Sequence, residues 1–96
     1  MTNVPARRIG LPWYSHEDYG RIREMMVDRH NLAPTYDAWL AAAENNESVG
    51  REAGLQIDRV MIEPEAFARW CAEKNLEPGS AARMKYVAEK VTRSDA

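Results

Sequence analysis

The sequence predicts an α+β fold, mainly α, with four helices and one central strand in the order α-α-β-α-α. Three observations predict it. Apolar residues recur at helical spacing in four separate windows. One stretch between them, "LQIDRVMIE", is β-branched and apolar and lies between Gly54 and Pro64. Breaks rich in Pro, Gly and Asn, "RHNLAPT" and "NLEPGS", separate the helical windows.

The first helix is expected from about His16 to Arg29, started by "GLPWYSHEDYG". Ser15 fits an N-cap with Asp18 at N3, an imperfect capping box because Asp is shorter than Glu or Gln. Tyr14 and Tyr19 then occupy N′ and N4, the positions that pack together as a hydrophobic staple. Tyr19, Ile22, Met25 and Met26 make one apolar stripe. Thr35 caps a second helix whose buried face is Tyr36, Trp39, Leu40 and Ala43. Its second half, "ENNESVGREAG", is a poorer helix former, aided by the i,i+4 pair Glu47 and Arg51 and closed by Gly54.

The strand is expected over residues 55 to 63. Leu55, Ile57, Arg59 and Met61 point one way; Gln56, Asp58, Val60 and Ile62 point the other. Pro64 suits the first position of a third helix, reaching about Asn75, with Ile62 and Phe67 as a second staple. Phe67, Trp70 and Cys71 face its core. The fourth helix is expected from about Ser80 to Val91, with Ala81, Met84, Val87, Ala88 and Val91 inward.

Ninety-six residues suit a single small globular domain, 1–96, whose ends at 1–6 and 92–96 are polar enough to fray. The 45% hydrophobic and 29% charged content is that of an ordinary globular chain rather than a disordered one. A net charge of −2 gives no general attraction to nucleic acid or anionic membrane. One cysteine allows no internal disulfide, no stretch approaches a membrane span, and no secretion signal is legible, so a cytoplasmic location is expected.

"LPWY" at Leu11–Tyr14, "DY" at Asp18–Tyr19, "TYDAWL" at Thr35–Leu40, "RVMIEP" at Arg59–Pro64 and "FARWC" at Phe67–Cys71 form a distinctive set. With it the chain resembles a group of short, uncharacterised bacterial proteins over most of its length. That resemblance implies no particular activity.

Nothing in the chain reads as a catalytic constellation, and no cofactor or metal is expected. His16 and His30 stand at opposite ends of the first expected helix, about 14 × 1.5 Å or roughly 20 Å apart, too far to share a metal. Cys71 lies on an apolar face beside Trp70, where a thiol behaves as a small hydrophobe. Trp39 and Trp70 fit core packing. Trp13 fits a lid folded back on the core, or a ligand or partner site together with His16. The expected function is therefore a non-catalytic protein-interaction or structural module. The alternative is a helix-turn-helix-like nucleic-acid binder over residues 65–93, using Arg83, Lys85, Lys90 and Arg93 on phosphates. Glu73, Glu77 and Glu89 among those cations make nucleic acid the less favoured partner.

The strand's own pairing gives the last expectation. A solitary strand leaves its backbone groups unsatisfied. "ARRIGL" could lie beside it, but Gly10 and Pro12 make that segment a weak β-former. A homodimer through Leu55, Ile57, Arg59, Met61 and Glu63 is therefore favoured, with the register shifted so that Arg59 approaches the partner copy's Glu63. Another protein is a further candidate partner.

Overall fold

A computed structural model describes residues 7–94, with side chains to Val91. The expected fraying of residues 1–6 and 92–96 lies outside the described residues except at 92–94, which continue helix Ser80–Ser94. Among the described residues there are two strands, β1 (Arg8–Trp13) and β2 (Gln56–Met61), and four helices. The helices are α1 (Tyr19–Met25), α2 (Tyr36–Glu52), α3 (Pro64–Lys74) and α4 (Ser80–Ser94). The chain is mainly helical, as expected, but its described order is β-α-α-β-α-α. The strand is not solitary: β1 and β2 pair in parallel, from Arg8 beside Gln56 to Trp13 beside Met61.

"RIGLPW" forms a strand despite Gly10 and Pro12, and the ladder explains both. The Gln56 N–H donates to the Arg7 carbonyl at 2.9 Å and the Ile62 N–H to the Trp13 carbonyl at 2.8 Å. Backbone direction alternates along a ladder, so odd residues of β1 face β2 and even residues face outward. Pro12 thus places its missing N–H on the outer edge, the position at which a strand tolerates it. Gly10 sits where helix and strand meet most closely. A Cβ built there would lie 2.4 Å from Val87 Cγ1 and 2.5 Å from Val91 Cγ2. Only glycine lets α4 approach β1 so closely.

Side chains on opposite faces of this small sheet meet different helices. Gly10 and Val60 lie on the face covered by α4. On the other face α2 packs against β2. There Ile57 meets Gly50, and Trp13 meets Trp39 edge-on with ring centroids 5.1 Å apart. The result is a helix–sheet–helix stack, with Tyr14, Ile22, Met26, Ile62, Phe67 and Val87 among its most buried side chains.

Local signals account for most boundaries. Tyr14 and Tyr19 pack as expected, centroids 5.8 Å apart, and Ser15 Oγ accepts the Asp18 N–H at 3.1 Å. The first helix is nevertheless shorter than expected, starting at Tyr19 and stopping at Met25. Past Met26 the backbone turns extended so that the Val27 N–H can donate to the Pro78 carbonyl at 2.8 Å. Helix α2 starts on Thr35, whose hydroxyl accepts the Ala38 N–H, and runs through its weak second half to Glu52. Gly54 follows with φ +91°, a left-handed turn that glycine makes without strain. Helix α3 begins at Pro64 with the Glu63 carboxylate capping the Ala66 N–H at 2.8 Å.

The inner face of α4 differs from expectation. Ala82, Arg83, Tyr86, Val87 and Val91 are buried, whereas Ala81, Met84 and Ala88 are exposed. The helix is turned so that Tyr86 fills the core against Phe67 and Trp70, centroids 5.3 and 5.2 Å away. Val87 and Val91 face inward as expected, and the buried Arg83 belongs to the same face.

Gly10→Ala should therefore destabilise the fold by about 1–3 kcal/mol, the usual cost of overpacking against stiff β-branched neighbours. Gly20→Ala, with nothing within 4 Å of the added methyl, should be neutral or stabilising. Urea unfolding of both variants checks the contrast; equal midpoints would remove Gly10 as the point of closest approach.

Candidate functional site

The outer edge of β2 gathers the most accessible chemistry. Because Gln56 and Ile62 direct their N–H groups to β1, the alternate residues Ile57, Arg59 and Met61 direct theirs outward. Among the described residues the sheet has only two strands, so no third strand takes up those groups. Beside this edge runs an open groove of about 420 Å³, lined by Arg8, Asp58, Arg59, Val60, Met61, Lys90 and Val91. Met61 is 54% exposed.

Arg59 is built into this edge from two sides. Its guanidinium lies 3.9 Å from the centre of the Trp13 ring, a cation–π arrangement. Its Nε and Nη2 donate to the two Glu47 carboxylate oxygens at 2.7 and 2.9 Å. Glu47 is only 5% exposed, and Arg51 reaches the same carboxylate at 3.4 Å, the i,i+4 pair expected from sequence. The Arg59 hydrogen bonds hold the Glu47 carboxyl below its ordinary range, and Glu47 in turn raises Arg59. Within the chain Arg59 thus reaches Glu47, while the Glu63 carboxylate caps α3. On the α4 face, Arg8 pairs with Asp58.

A second ionic site lies inside. Arg83 is 8% exposed and forks onto Asp28, Nη1 to Oδ1 at 3.0 Å and Nη2 to Oδ2 at 3.2 Å. Burial pushes the nearby Tyr14 hydroxyl up to about 12, against the opposing pull of the Arg83 cation. The Arg83 hydrogen bonds hold the Asp28 carboxyl below its ordinary value. Arg83 is thus a structural cation, withdrawn from any phosphate-binding face. Lys85 and Lys90 are exposed, with Lys90 5.1 Å from the Tyr86 ring centre. The Arg93 side chain lies outside the described ones.

Trp13 and His16 differ in exposure and in the rings they meet. Trp13 is buried on β1 against Trp39, while His16 is exposed and meets Tyr36 edge-on at 4.8 Å. Cys71 is buried, and that burial raises its thiol pKa, the reverse of what a nucleophile needs. No cluster of three His, Cys, Asp or Glu side chains suited to a metal occurs among the described residues. No helix among them is long and apolar enough to cross a membrane.

Sequence reasoning missed both ionic sites as wholes. Its available signals were an arginine inside the Ala82–Tyr86–Val87 stripe and an aspartate where the first helix should have continued. Compared with family models, curated proteins and solved structures, the chain matches none.

Asp28 has a lowered pKa, so its contribution is complete above its unfolded value near 3.8 and is lost as pH falls through the folded value. Thermal midpoints should stay level in acid down to about pH 5 as far as this group is concerned, then fall. Asp28→Asn should flatten that fall, and an unchanged profile would exclude the assignment. Arg83→Met, which strands Asp28, should cost about 3 kcal/mol in urea unfolding.

Proposed function

We propose that the chain is a small non-catalytic protein-interaction module that acts as a homodimer through the outer edge of β2. The observation that supports this most is the open edge at Ile57, Arg59 and Met61, beside a groove and an exposed methionine. An unpaired strand edge is a template for another strand, and main-chain hydrogen bonds supply affinity there without a deep pocket.

The sequence-based route to the dimer changes with the fold. β1 occupies one edge of β2, so a second copy is no longer needed to satisfy a lone strand. The reading now rests on the remaining edge, and on the same residues Leu55, Ile57, Arg59, Met61 and Glu63. A nucleic-acid role is weaker than before, because Arg83 is buried on Asp28. The module belongs, in this reading, to the group of short bacterial proteins it resembles, and works in the cytoplasm.

Light scattering at micromolar concentration should give about twice the 11.0 kDa chain mass. Met61→Lys should return the protein to a monomer with its circular dichroism unchanged, since Met61 is mostly exposed and an edge lysine opposes strand addition. A wild-type monomer throughout that range would remove the reading.

A further inference from the structure

We draw no further inference here: the strongest candidate, the apolar groove at the start of α4 lined by Val27, Leu76, Gly79, Ala81 and Lys85, carries none because nothing in the structure shows what covers it.

Discussion

Two parallel strands far apart in sequence must find each other, and each face of the pair must then be covered. The register that sets Arg8 beside Gln56 closes a long connection, which costs chain entropy before any contact offsets it. A two-stranded sheet is too small to stand alone in water. Its stability therefore depends on helices seated on both faces, and Gly10 determines how near α4 can come. Once α4 rests on β1 and α2 on β2, Trp13 meets Trp39, Ile57 meets Gly50, and Tyr86 turns into the space against Phe67 and Trp70. The aromatic core follows from the sheet's position.

Two arginine–carboxylate forks then tie the layers together, and their surroundings give them different work. Arg83 and Asp28 are both nearly enclosed, so their value lies in mutual satisfaction: removing either leaves a charge with little water to replace its partner. This fork also decides a boundary, since the chain leaves α1 at Met26 and brings Asp28 to Arg83. Arg59 and Glu47 are unequal, with a buried carboxylate beneath a guanidinium that is still half in solvent. Such a pair contributes less energy than geometry. It fixes where a positive charge sits along the sheet edge and ties β2 to the second half of α2.

How much of this was legible in the sequence follows from the range of the forces involved. Staples, caps and breakers act over a few residues, so Tyr14 with Tyr19, Thr35, Pro64 and Gly54 could each be read locally. β1 could not. Its Gly10 and Pro12 weigh against a strand until the neighbouring helix and the direction of the free edge are known, and both come from residues at least 45 positions away. The same holds for Arg83: a charged residue on a helix is assigned to solvent unless its counter-charge, 55 positions distant, is in view. Trp13 and His16 stand three positions apart, yet the strand buries one and the turn exposes the other.

The two outer edges of the sheet are not equivalent, and that asymmetry bears on what the domain can do. β1's edge loses a donor at Pro12 and lies under α4, which crosses it at Gly10. Both features discourage strand addition. β2's edge has none of these protections along Ile57, Arg59 and Met61. Its charged residue does not act as a guard either, because the guanidinium that could repel an incoming strand is turned back onto Glu47 and Trp13. Proteins that must stay single usually place an unpaired lysine, a proline or a bulge at such a position. Here the proline stands on the opposite edge, and the arginine is neutralised from within its own subunit. The open edge of this sheet is therefore the one along Ile57, Arg59 and Met61, with the groove beside it.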